Sequence, residues 1–541
     1  MWINRKFVPE AKLSRTRKMK IRHIILSILA AATLAACEKS DGGDPGGGNG
    51  DGTLVIAPQN NLYGVISDQT GAPIRGVVVS DGFTCVETDA RGLYQMVYDP
   101  RAEYVFHSVP ADCEITVSAE NYPAFYALIN KGVHKFRKDF TLKRMSAPET
   151  RFRLIAIGDP QVTMGDIRRF REETMADIRE TVETSGEPCY GIVLGDVSAD
   201  TPDAFVPMRA EIAALPGMKT FVTIGNHDKS ASDGGAVPDG KRFSAVYGPL
   251  DYSFNRGDVH FVCMDNIRFS TSTTYTAGFT DEQVEWLRQD LGFVPKSKMV
   301  VLFYHIPIRG ASSGNMAKVL DMLEPFREAH LMAGHTHYTD NYVDTRRNNL
   351  YEHIHGASCG MWWFSDLNGC GAPNCYYVYD INGAKLVNGY FKGTHHPAGF
   401  QMRLHRGGDV CGGPYETFAY ASLGAGSDPS TVIANVFNAD SRYWKVELYE
   451  GGVNRGAMTR IPTVKDDMWT LGYHIGVLGK GHTGGNRALY TNNNKHLYYA
   501  KLNDPDAAVK VVATDQWGNV YEQTAFTAPD DYSTAVKHLQ P

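Results

Sequence analysis

No two cysteines in this sequence form a C-x-x-C pair, which removes the spacing that a zinc ribbon needs. Basic residues are in deficit, with 54 Lys and Arg against 60 Asp and Glu, for a net charge of -6. Residues 1–36 hold eight of the basic residues and a single acid, so the remainder carries about -13. Nonspecific nucleic-acid binding needs Lys and Arg to neutralise phosphates, and a surface this acidic excludes it. Attraction for phosphate is then confined to a local site, such as a metal centre. Long apolar runs are scarce too. The one that stands out, 24–36, falls short of the roughly 20 residues that span a bilayer.

That run follows a basic stretch ending at Arg22 and closes with Leu34-Ala35-Ala36-Cys37. The order predicts a signal peptide over 1–36, compact from Met19 onward. Small residues directly before a cysteine resemble the lipobox of bacterial lipoproteins. The resemblance implies lipidation of Cys37 and an exported protein anchored in a membrane, facing the periplasm or the cell surface. A plain secretory signal with an incidental cysteine is the alternative. Residues 40–53 (SDGGDPGGGNGDGT) bury nothing and predict a flexible spacer, so 37–53 reads as anchor plus linker.

With 541 residues the chain is too long for one core, and its texture changes twice. Over 54–145, short alternating strands broken by Gly-rich turns predict a β-sandwich, similar to carboxypeptidase-regulatory-like modules. Over 150–394, apolar runs alternate with helical stretches at 166–184, 281–291 and 315–330, which predicts an α/β core. Over 396–541 the strand-and-turn pattern returns, predicting a second all-β sandwich.

The central region carries the chemistry. Five times an apolar run ends in residues of metal-ligand type: Gly158-Asp159-Pro160-Gln161, Gly195-Asp196, Gly225-Asn226-His227-Asp228, His305, and Gly334-His335-Thr336-His337. Ligands bind at the carboxyl ends of strands in open α/β sheets, so parallel strands are expected to gather the five tips along one rim. Glycines before four of them permit sharp turns and close backbone approach.

GDPQ, GDVSAD, GNHD, YHIP and GHTH resemble the signature of the calcineurin-like metallophosphoesterases. The resemblance implies an αββα sandwich and two divalent ions, drawn from Mn, Fe, Zn and Mg, with Mn mildly favoured. Residue by residue, it assigns one ion to Asp159, Gln161, Asp196 and His337. The other falls to Asp196, Asn226, His305 and His335, with Asp196 shared. No thiolate is included, which suits such ions rather than copper. His227 is the implied acid or transition-state stabiliser. Two departures mark the chain: Gln161 stands where the family commonly has His, and Ala199 where many members have an acid. Asp200, one residue on, either orients His227 or is a solvated turn residue.

Outside the motifs, Trp362 and Trp363 lie in a Gly- and Cys-rich loop and either line the substrate cleft or pack on a neighbouring domain. His353 and His355 read as structural or as facing the site. Cys359, Cys370 and Cys375 are close enough in sequence for an oxidised pair, with free thiols the other reading. Gly481-His482-Thr483-Gly484 lacks the second histidine of GHTH and reads as a turn. The expected activity is hydrolysis of phosphate esters, diesters ahead of monoesters, on a phosphorylated small-molecule, glycan or lipid substrate. Nucleotide or lipid pyrophosphatase activity is the enzymatic alternative. A surface glycan-binding lipoprotein with a vestigial catalytic domain is the alternative of another class.

Overall fold

Two stacked sheets occupy the centre of the molecule, and the way the strands are dealt between them decides where the site lies. In this computed structural model, residues 54–229, 237–420, 428–462, 466–483 and 494–535 are described. The expected signal peptide, Cys37 and the linker lie outside them. The described residues from Ala57 onward form one compact unit.

The first central sheet runs in the order Met218–Thr223, Cys189–Leu194, Arg151–Ile157, Cys375–Asn382, Leu386–Gly393. Its first three strands are parallel and the last two antiparallel. The second runs Tyr252–Arg256, Val259–Cys263, Met299–Phe303, Glu328–Ala333, Leu350–Ile354, Tyr342–Asp344, with four parallel strands in its middle. Strands such as Cys189–Leu194 and Met299–Phe303 are buried at every position. A strand covered on both faces has no solvent side, so it reads as a continuous apolar run rather than an alternation.

Helices close the outer faces. Asp281–Gly292 begins with a capping box: Thr280 Oγ1 accepts from Gln283 N at 3.2 Å, and Gln283 Oε1 accepts from Thr280 N at 3.0 Å. The stretch expected as one helix over 166–184 is Ile167–Arg169 and Met175–Glu183 joined by a π-helical turn. The helix expected over 315–330 stops early. It spans Gly314–Asp321, and the strand Glu328–Ala333 follows. Pro325 disfavours helix at the residue before it and breaks the run.

Two β-sandwiches flank this core. The amino-terminal one packs a sheet centred on Leu62–Asp68 against the sheet Cys85–Glu87, Val78–Ser80, Tyr104–His107, Tyr126–Leu128, over Leu62, Ile66, Val79 and Val105. It bonds to the core through Trp286 Nε1, which donates to Ser80 Oγ at 3.1 Å, and Cys85 N, which donates to Gln289 Oε1 at 3.0 Å. The carboxy-terminal one has two four-stranded antiparallel sheets enclosing Leu404, Val432, Ala434, Leu448 and Val511. From it, a helical segment beginning at Met468–Leu471 reaches the tryptophan loop, where His474 Nε2 lies 2.8 Å from Ser365 Oγ. No helix among the described residues is long and apolar enough to cross a membrane.

Candidate metal centre

The five motif tips come from both sheets, not one rim. Asp159 and Gln161 follow Arg151–Ile157, Asp196 follows Cys189–Leu194, and Asn226 and His227 follow Met218–Thr223, all in the first sheet. His305 follows Met299–Phe303, and His335 and His337 follow Glu328–Ala333, in the second. The carboxyl ends of both parallel sets open on the same side, so the centre sits in the seam between the sheets.

Two groups of ligand-type atoms meet there, each within 4.8 Å: Asp196 with His305 and His335, and Asp159 with Asp196 and His337. Asp196 belongs to both. Asn226 Oδ1 lies 3.0 Å from His305 Nε2, and His335 Nδ1 lies 3.2 Å from the same nitrogen. His305 Nδ1 is 2.7 Å from Leu194 O, a bond that fixes a proton on Nδ1 and turns Nε2 toward the other ligand-type atoms. Gln161 is buried at 3% exposure, and its Oε1 has no hydrogen-bond partner among the described residues.

The backbone is bent to make this possible. Asp159, Gln161, Asp196, Asp200, His335 and His337 all have positive φ, between 39° and 70°. Left-handed conformations at non-glycine residues cost energy and persist where the surroundings over-determine them, as at ligand sites. Two glycines are needed for approach. A Cβ on Gly225 would overlap the nitrogen and carboxylate of Asp196, and one on Gly195 would press on the His305 ring.

Charge in the site asks for cations. Burial and the neighbouring Asp196 charge push the Asp159 carboxyl up to about 8, against the pull of His305. For Asp196 burial acts in the same direction, yet His305 and His227 outweigh it and hold the carboxyl well below its usual range. Burial drives His335 down to about 3 and His337 down to about 4, so both imidazoles are neutral and able to ligate. Buried carboxylates beside neutral imidazoles, with an orphaned amide oxygen, fit divalent cations. The Cys359 thiol is 3.9 Å from His337 Nδ1, but burial first and Asp159 second raise its pKa, which keeps it protonated and out of the donor set.

His227 stands beside both groups. Its Nδ1 lies 2.9 Å from Asp200 Oδ2, and its backbone N–H donates to Asp196 Oδ1 at 2.8 Å. Burial lowers its pKa, but Asp196 and Asp200 more than compensate and hold it at about 9.

The two tryptophans part company. The Trp362 ring lies 5.6 Å from the His337 ring, at the edge of the centre. Trp363 is 2% exposed, donates from Nε1 to Pro160 O at 2.8 Å and meets Phe170 edge-on, so it packs behind the motif loop instead of lining the cleft. His355 is also structural, bonded to Ala333 O at 2.8 Å and lying 2.9 Å from the Tyr379 hydroxyl, while His353 pairs with His330 at 3.1 Å. All eight described cysteines, including Cys359, Cys370 and Cys375, are free and buried. Gly481 and His482 lie in a turn.

Three features received no role from the sequence. The Asp228 carboxylate accepts from Val197 N, Ser198 N and Gly225 N at 3.0, 3.0 and 2.9 Å, clamping two motif loops together. Its position directly after His227 was the available signal. Arg169 is a buried hub for Glu173, Asp366 and the Trp363 carbonyl. Tyr275 reaches the centre from a hairpin in which no motif marks it.

A family model for calcineurin-like phosphoesterases matches residues 152–339. Models for the N-terminal and C-terminal parts of calcineurin-like phosphoesterases match 60–145 and 352–521. No curated protein matches the chain. Among solved structures, a purple acid phosphatase from yellow lupin (Lupinus luteus) seeds is similar at 11% identity and TM-score 0.31, over 59% of this chain and 69% of its own. The anchor protein of the Plasmodium inner membrane complex is similar at 10% identity and TM-score 0.27, over 45% of this chain and 89% of its own. The phosphopantetheinyl hydrolase of Mycobacterium tuberculosis is similar at 13% identity and TM-score 0.24, over 39% and 91%.

Proposed function

We propose that this chain, which belongs to the calcineurin-like phosphoesterases with N- and C-terminal domains, hydrolyses phosphodiesters at a centre of two divalent ions. The observation that carries the reading is the pair of buried Asp/His groups sharing Asp196. Asp159, Gln161, Asp196 and His337 would hold one ion, and Asp196, Asn226, His305 and His335 the other. The donor set of oxygens and imidazoles suits Mn, Fe, Zn or Mg, with Mn mildly favoured by the amide of Gln161. When bound, such a pair neutralises phosphoryl oxygens and supplies an acidified water as nucleophile.

The protein's own groups do the rest. Asp200 holds His227 by Nδ1, which leaves Nε2 for the substrate and keeps the ring protonated to serve the leaving oxygen. Part of the upward pull on His227 comes from Asp196, whose charge bound cations neutralise; the Asp200 part remains. Trp362, beside His337, flanks the substrate. Three cations close in sequence to the motif loops are already committed: Lys229 to Asp265, Arg309 to Asp340, and Arg169 to Glu173 and Asp366. The second negative charge of a monoester therefore finds no ready partner among them, which favours diesters.

Metal-reconstituted protein is expected to turn over bis-p-nitrophenyl phosphate faster than p-nitrophenyl phosphate. The reverse order would assign a monoesterase, faster cleavage of ADP-ribose a pyrophosphatase, and no turnover with any metal a binding protein. His227→Ala should lower kcat about 100-fold while both ions stay bound; loss of metal from this variant would refute the assignment. We propose in addition that the protein is exported and anchored through Cys37, on the strength of the lipobox-like sequence. Cys37→Ala should move the protein from the membrane to the soluble fraction, and unchanged partitioning would remove the anchor.

A further inference from the structure

Beside the centre, one aromatic hydroxyl is left without a partner. Tyr275 lies in the antiparallel hairpin Ile267–Phe269 with Tyr275–Ala277, directly across from Phe269. Its ring is 6.1 Å from that of His335 at 78°, and 5.1 Å from the ring of Phe269. Tyr275 is half-buried, and its hydroxyl makes no hydrogen bond to a described residue. A tyrosine hydroxyl both donates and accepts, so one with no protein partner beside a ligand site is able to donate to a ligand.

The surroundings say what the ligand presents. The hairpin strands contain one charged residue, Arg268, and it is spent on Gly278 O, Asp265 O and Gln283. The wall that Tyr275 and Phe269 offer is therefore aromatic and uncharged.

Building on the phosphodiesterase reading, we infer that Tyr275 contacts the substrate, its hydroxyl donating to the phosphoryl group and its ring, with Phe269, receiving the leaving alcohol. The substrate class is then a diester whose departing alcohol carries an uncharged ring, aryl or sugar, rather than a second charge. A hydrogen bond to a charged group contributes about 1.5–3 kcal/mol, so its loss in Tyr275→Phe should cost roughly tenfold or more in kcat/KM for bis-p-nitrophenyl phosphate. Tyr275→Ala should lose that and raise KM several-fold further, and both variants should keep the metal content of the parent. Calorimetric binding of phenylphosphonate should weaken in the same order. That arm reads Tyr275 even if the parent turns over no diester, the outcome that would defeat the functional reading and not this one. Parent-like kinetics and phenylphosphonate affinity in both variants, or loss of metal in Tyr275→Phe, would overturn the inference.

Discussion

Asp196→Asn should lower kcat/KM by at least about 1,000-fold, close to 4 kcal/mol of transition-state stabilisation, and empty both ion positions together. Asp196 is the only residue common to the two ligand groups, and its carboxylate also accepts the His227 backbone N–H at 2.8 Å. An amide at this position keeps the shape and removes the charge that His305 and His227 face. Both neighbours lose the anion that now holds each at about 9. Elemental analysis after reconstitution checks the claim. Retention of one ion with near-parent activity would mean that the groups are independent and that Asp196 is not shared.

The second large effect concerns stability. Arg169→Met should destabilise the protein by about 3–5 kcal/mol, the usual cost of removing one partner of a buried ion pair. Arg169 grips Glu173 with two nitrogens at 2.7 Å and reaches Asp366 at 2.8 Å, and those carboxylates are 1% and 4% exposed. It also donates to the Trp363 carbonyl and lies over the Trp363 ring, 5.3 Å from its centre. Methionine fills part of the volume but removes the charge that both buried carboxylates face. Lysine restores charge without the fork that serves three acceptors, so Arg169→Lys should fall between parent and Met. Thermal unfolding orders the three. Equal melting of parent and Met variant would show that the network adds nothing net. Metal binding in folded Arg169→Met should survive, because Arg169 touches no ligand.

Some of this architecture was legible before any coordinates. The α/β core between two β-sandwiches followed from texture, because a strand buried on both faces is written as an unbroken apolar run and a sandwich strand as an alternation; its αββα layering came from the family resemblance. The helix at 281–291 was readable because its start is chemical: Thr280 and Gln283 close a capping box. The helix expected over 315–330 was overextended, since the apolar positions of Glu328–Ala333 suit either period and Pro325 decides the break.

At the centre, ligand identity is a property of residue type and local order. Each tip is a short stretch ending a buried strand, so Asp159, Asp196 and the histidines announced themselves. What the linear order does not encode is distance between tips. The seam between two sheets, the carboxylate clamp of Asp228, the withdrawal of Trp363 behind Pro160 O and the arrival of Tyr275 beside His335 all depend on how separate strands pack. Sequence determined which residues can hold divalent ions, because donor chemistry belongs to single side chains. Tertiary structure decided which stand together, which is buried and what lies beside the centre, because those are relations between segments that only packing brings within 3 to 6 Å.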